Sequence, residues 1–329
     1  MKKFTNLPSD LVYESMLGFA AAHAALVSVN MDPLFVMRRQ PVASKVALIS
    51  GGGSGHEPLP SGFVGTGMLD TASRGQVFTS PTPNQMLAAA KAVGGAAGVL
   101  FIVKNYAGDV MNFQMAMDMM DIEFASVLVN DDVPVDSSGH AAGRRGVAGT
   151  LVVEKMVGAA AERGRPLAAL KSLGDSVNAR TRSMGVALTS CTVPAAGTPT
   201  FALGETEMEM GVGIHGEPGR RRVPLAPARA IATEMAEAIL HDLAPKPGTP
   251  ALLFLNGFGA TPALELYLMY ENVRAVAEAR GLTIARSLVG SYVTSLDMAG
   301  CSITVTLLDD ELVGLWDAPV HTAALRWRL

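Results

Sequence analysis

The sequence predicts an α/β protein of two domains, the first with a largely parallel sheet flanked by helices and the second α+β. Three observations carry this. Short apolar runs at 46–50, 98–103 and 125–129 alternate with segments of helical composition at 84–93 and 111–120, the pattern of βα units. Beyond residue 184 the texture changes: strand-like runs at 251–255, 283–289 and 302–308 stand beside long helical segments at 227–243 and 262–280, which leaves antiparallel pairing open. The chain of 329 residues has room for about two domains. The expected division is 1–185, with the loops of His56 and Asp109, and 186–329, carrying His215, with the tail from Trp316 returning to the first domain.

Taken in order, the alanine-rich stretch 16–29 reads as an early helix packed on the body. It is too short, and too interrupted by His23 and Ser28, to cross a bilayer. The run 46–50 is closed by three glycines, 98–103 by Lys104-Asn105, and 125–129 by Asn130-Asp131-Asp132. Segments 147–163 and 167–180 read as two helices broken by Gly164-Arg165-Pro166. The strand-like 184–188 then leads into a turn-rich join at 191–197. In open parallel sheets the ligand crevice lies beyond the carboxyl ends of the strands. His56, Lys104 and Asp109 all fall just past such ends.

Composition narrows the function class. With 26 basic and 30 acidic residues the net charge is −4, so no nucleic-acid footprint is expected. The run Arg220-Arg221-Arg222 reads as a solvated turn. Cys191 and Cys301 are too few for a disulfide framework or a metal cage and read as reduced, packed thiols of a cytoplasmic protein. The basic opening lacks an apolar stretch after it, so no secretory signal and no membrane association are expected. Asp131-Asp132 and Asp309-Asp310 lack the oxygen-rich spacing of a calcium loop, and no metal site is expected. His23 and His241 read as structural. His140 and His321 fall on loops.

Three glycine-rich stretches carry the chemistry: 51–58 with His56, 105–109 with Asp109, and 211–219 with His215. Glycine lets backbone N–H groups approach a ligand closely. Two of these loops repeat one phrase, Gly-His-Glu-Pro and His-Gly-Glu-Pro, which predicts one pocket for both. Stretch 51–58 lacks the Gly-Lys-Ser/Thr ending of a nucleotide phosphate loop. Its bland alternative is a tight turn around a buried His56. Asp109, just before a helical run, is by local sequence an N-cap as readily as a functional acid. His215 reads as a solvent-facing turn histidine or a general base.

The set GGGSGHEP, FTSPTP, VKNYAGD, AGRRGVAGT, CTVPAAG, GVGIHGEPG, NGFGATP and WDAPVHT resembles the substrate-binding subunit of dihydroxyacetone kinases of the DhaK type. The resemblance runs from about residue 46 to 327. It implies that His56 is a catalytic acid/base, that Gly53, Ser54 and Gly55 contact substrate through their backbone, and that Lys104 is a further substrate or phosphate contact. Asp109 would deprotonate the hydroxyl that receives the phosphoryl group. His215 would bond covalently to the ketone carbon as a hemiaminal. A ketone can accept the imidazole and glycerol cannot, so this bond supplies a discrimination that packing alone does not reach. The chain resembles the separate-subunit, phosphotransferase-system-dependent form. No cofactor is then expected on it, ADP and Mg²⁺ are expected on a nucleotide-binding partner subunit, and the chain itself is expected as a homodimer. Two alternatives go with the resemblance: a non-catalytic dihydroxyacetone-sensing co-regulator, against which His56, Asp109 and His215 together argue, and a kinase subunit for a four-carbon ketose such as erythrulose.

Overall fold

The computed structural model describes residues 2–134, 143–217, 219 and 221–328. In chain order the elements are α1 (Leu11–Ala22), β1 (Val27–Met31), β2 (Leu34–Arg38), β3 (Ala47–Ser54), β4 (Gly65–Thr66), β5 (Thr71–Val77), α2 (Pro83–Val93), β6 (Val99–Lys104), α3 (Ala107–Asp118) and β7 (Phe124–Val129). Then come α4 (Gly149–Glu162), α5 (Leu167–Ala179), β8 (Thr181–Ala187), β9 (Glu207–Met210), β10 (Arg221–Pro224), α6 (Ala228–Leu243) and β11 (Pro250–Gly257). The chain ends with α7 (Ala263–Ala279), β12 (Thr283–Gly290), β13 (Gly300–Leu307), α8 (Asp310–Trp316), β14 (Val320–Thr322) and β15 (Arg326–Trp327). No helix among the described residues is long and apolar enough to cross a membrane.

The chain forms two compact units. One runs to Val129 and adds Thr150–Ser176 and the residues from Gly314; the other holds Asn130–Gly149 and Val177–Val313.

The first unit is built on a six-stranded sheet of order β1-β2-β5-β3-β6-β7. β5, β3, β6 and β7 pair in parallel, and the hairpin β1–β2 adds an antiparallel edge. That hairpin corrects the helical reading of 16–29. The helix stops at Ala22, and Val27 and Val29, β-branched and two apart, begin a strand instead, as such residues favour. The central strand also differs from expectation. The glycines at 51–53 do not end β3; they lie inside it, and all eight of its residues are buried. Glycine within a strand marks a close approach of another group, and here a Cβ at Gly53 would stand 2.6 Å from the backbone nitrogen of Thr79.

Helix α2 begins with Pro83 at its first position and a reciprocal capping box between Thr82 and Gln85. These satisfy donors that the first turn leaves open; Thr82→Ala would cost about 1 kcal/mol. Beneath α2 and α3, Phe101 of β6 meets Phe113 edge-on, ring centres 5.7 Å apart. Ile49, Met86 and Ala116 belong to the same core.

The second unit has a sheet of order β10-β9-β8-β13-β11-β12, antiparallel throughout except for β11–β12. Ala251, Leu253 and Leu255 alternate along β11 and share one core with Met235 and Ile239 of α6 and Leu266 and Val273 of α7. Two surface readings change. Arg221 and Arg222 begin strand β10 rather than sit in a turn, and Arg222 Nε lies 3.3 Å from Glu209. His321 lies in strand β14, opposite Thr66 of β4. His140 and Arg220 fall outside the described residues.

Candidate functional site

In the first unit, polar groups gather where β3, β5 and β6 end. β3 lies between β5 and β6, so successive connections leave to opposite sides of it, which is the switch point where open α/β sheets carry ligands. Lys104 closes β6, is buried, and donates from Nζ to the Gly51 carbonyl at 2.6 Å. A Cβ at Gly52 would come within 2.7 Å of that Nζ and 4.0 Å of Asp109 Oδ2. The bare glycine is therefore what lets Lys104 and Asp109 converge on the strand. Asp109 is not an N-cap: Tyr106 holds that position, and Asp109 is the third residue of α3. It is buried, and its Oδ1 has no hydrogen-bond partner among the described residues.

Gly55 takes a positive φ of 102°, which turns the chain and places the buried His56 ring parallel to Phe78, centres 5.1 Å apart. Glu57 folds back to accept from the Gly55 amide at 3.0 Å and pairs with the buried Arg74. Burial brings the Arg74 guanidinium down to about 10. Ser54 spends its hydroxyl on the Gly75 carbonyl at 2.8 Å.

Behind Lys104 lies a carboxyl the sequence did not disclose. Glu154, inside α4, is fully buried. Burial pushes it up to about 8, against the pull of the Lys104 ammonium. The sign of the linkage follows. An unfolded glutamate loses its proton near its ordinary value of 4.5, whereas the folded one holds it to about 8. Stability therefore falls as pH rises through that window. Glu154→Gln copies the protonated shape, so its advantage over wild type in urea midpoint should grow from pH 5 to pH 8. A difference that stays constant across that range would contradict the burial argument.

In the second unit, His215 follows β9 in a turn opened by Gly211 and Gly213. Its Nδ1 lies 2.9 Å from Glu217 Oε1, and its backbone amide donates to Glu217 Oε2 at 3.1 Å. Burial pushes the Glu217 carboxyl up, but the hydrogen bond and charge of His215, with the charge of Arg145, bring it down to about 2. An ionised carboxylate can only accept, so Nδ1 carries a proton; when the ring is neutral, the lone pair is then on Nε2. Glu217 is the functional neighbour that sequence reading missed. Its signal was in the repeated phrase, because Glu57 and Glu217 each clamp an amide two residues earlier.

The aspartate pairs serve structure. Asp131 accepts from the amides of Val147 and Gly149 at 2.8 and 2.7 Å, and Asp132 pairs with Arg145. Asp309 pairs with Arg180 and accepts from the Leu312 amide. Among the described residues no group of three or more His, Cys, Asp or Glu could hold a metal ion.

The Dak1 domain matches residues 17–324. The chain belongs to the Dak1 domain family. Among Dak1 proteins it is 45% identical to the PEP-dependent dihydroxyacetone kinase, dihydroxyacetone-binding subunit DhaK, of Escherichia coli, over 99% of both chains, which places it with the DhaK type. It is 40% identical to the D-erythrulose kinase of Mycolicibacterium smegmatis, covering 57% of that longer protein. The solved structure of the dihydroxyacetone kinase operon co-activator Dha-DhaQ superposes with a TM-score of 0.90 at 30% identity, covering 94% of this chain and 97% of that one.

Proposed function

We propose that this chain is the dihydroxyacetone-binding subunit of a phosphotransferase, capturing the ketone on His215 and presenting a terminal hydroxyl to a nucleotide-bearing partner subunit. The observation that carries this is the His215–Glu217 pair, 2.9 Å apart, which commits Nδ1 to the carboxylate and makes Nε2 the nucleophilic nitrogen of the neutral ring. In the capture step Nε2 bonds to the carbonyl carbon, the C=O π bond breaks, and the oxygen takes up a proton from solvent to become a hydroxyl. The positive charge arising on the ring is offset by Glu217. In the transfer step the substrate hydroxyl gives its proton to Asp109 as its oxygen bonds to phosphorus, and the donor's P–O bond breaks. Lys104 is positioned to hold the oxygen that loses its proton, and His56 acts beside it as acid/base. The backbone of Gly53, Ser54 and Gly55 lines the substrate. ADP and Mg²⁺ belong to the partner, recharged by a phosphotransferase-system protein, and the chain works as a homodimer.

Likeness to the co-activator Dha-DhaQ favours a sensing role as a second reading. A sensor has no use for a buried carboxylate with an open oxygen, which Asp109 provides. Reconstitution separates the two. The chain alone, with ATP and Mg²⁺, should form no dihydroxyacetone phosphate, and adding a nucleotide-bearing kinase subunit with its phosphoryl donor should start turnover. Failure with every such partner would favour the sensor, and preferential turnover of erythrulose would move the substrate to four carbons.

A further inference from the structure

The motif AGRRGVAGT has no part in the capture and transfer steps, yet its second arginine reaches the His215 loop. Arg144 ends on Asp242, which Arg182 shares. Arg145 is buried. Its Nε donates to Asp132 Oδ2 at 2.6 Å, and its Nη2 donates to the Gly211 carbonyl at 2.7 Å. Asp132 is itself buried, and its amide donates back to the Arg145 carbonyl at 3.1 Å. The third nitrogen faces Gly213, where a Cβ would stand 2.6 Å from Arg145 Nη1 and 2.1 Å from Glu217 Oε2. Gly213 is therefore bare at the place where guanidinium and carboxylate approach each other. One rigid fork grips the start of the His215 turn and faces the carboxylate that holds the imidazole.

We propose that Arg145 is a positioning residue for His215, with Asp132 fixing Arg145 in turn, so that the series Asp132–Arg145–Glu217–His215 holds the imidazole in its Nδ1–H tautomer. The capture consequence rests on reading His215 as the nucleophile; the tautomer consequence does not. The planar guanidinium suits the task because it donates in several fixed directions at once, which a lysine ammonium does not reproduce. Without it Glu217 loses a charge that favours its ionised form, and the Gly211 carbonyl loses its donor. A histidine whose Nδ1 partner no longer demands a proton distributes that proton between both nitrogens, and the tautomer competent for attack becomes a fraction of the population.

The test uses full-length wild type, Arg145→Gln, Arg145→Lys and Asp132→Asn. Nitrogen-15 spectra report which His215 nitrogen carries the proton. Titration with dihydroxyacetone labelled with carbon-13 at the carbonyl reports conversion of that carbon to a tetrahedral one. Arg145→Gln should weaken adduct formation about 10–100-fold, the range of a lost charge-assisted hydrogen bond, and should move the His215 spectrum away from pure Nδ1–H. Arg145→Lys should lie between. Wild-type tautomer and wild-type adduct affinity in a folded Arg145→Gln would overturn the proposal. Should that variant fail to fold, Asp132→Asn carries the same comparison: a tautomer shift supports the series and a wild-type spectrum overturns it. A wild type that forms no adduct overturns the capture reading, while the tautomer comparison still decides the role of Arg145.

Discussion

Asp109→Asn should leave dihydroxyacetone binding intact and lower phosphoryl transfer by about 10²–10⁴-fold, the range of general-base contributions. The amide matches the carboxylate in shape but cannot take the hydroxyl proton. The geometry makes the substitution a clean one. Asp109 sits within α3, whose N-cap is Tyr106, so no helix cap is lost. Its Oδ1 has no hydrogen-bond partner among the described residues, so no internal bond through that atom is broken. Lys104 keeps its bond to the Gly51 carbonyl at 2.6 Å and its place beside Gly52. The measurement is turnover at saturating partner subunit, set beside adduct formation by carbon-13 spectroscopy on the same sample. Near wild-type turnover would remove Asp109 from the base role. Loss of adduct and turnover together would assign it to binding instead. His56→Ala should lower turnover with some loss of binding, since its ring would both hydrogen-bond substrate and move a proton.

Local pattern carried most of the fold. The runs at 46–50, 98–103 and 125–129 overlap β3, β6 and β7, and the helical segments overlap α2, α3, α4, α5, α6 and α7, because apolar periodicity and Gly/Pro punctuation are properties of short windows. Where reading failed, a contact distant in sequence decided. Gly51–Gly53 continue a strand because Phe78, Thr79 and Lys104 stand against them, and nothing within the loop announces those neighbours. The β1–β2 hairpin needed the edge of β5 to make it a sheet. Glu154 is 50 residues from the Lys104 it faces, and Arg145 is 66 residues from the Gly211 carbonyl it holds; a lone glutamate or arginine in a helical or glycine-rich stretch carries no mark of such a partner. Glu217 was different. A carboxylate two residues from a histidine, in a phrase that recurs as Glu57 after Gly55, was visible, and its meaning was a clamp on the backbone and on the ring.

His215→Ala should abolish covalent capture and, with it, the preference for a ketone over its alcohol. Dihydroxyacetone and glycerol share three carbons and both terminal hydroxyls, so a pocket that only packs against them separates them poorly; discriminations of that kind reach about 10²-fold at most. Addition to a carbonyl carbon is absolute by comparison, since glycerol has no π bond to break. The proposed addition draws on two features of the His215 turn: Nδ1 is committed to Glu217 at 2.9 Å, and Glu217, brought down to about 2, remains ionised across the whole working range of pH. The wild-type chain soaked or titrated with dihydroxyacetone should show a tetrahedral carbon bonded to Nε2, and a thousandfold excess of glycerol should not displace it. The alanine variant should bind the two molecules with equal, weak affinity. Glu217→Gln offers the intermediate case: the amide can still accept from Nδ1 but no longer offsets the charge that addition places on the ring, so the adduct should form with reduced affinity while glycerol remains excluded. Retention of tight, ketone-selective binding in His215→Ala would remove His215 from the chemistry and return it to the turn histidine that its local sequence alone describes.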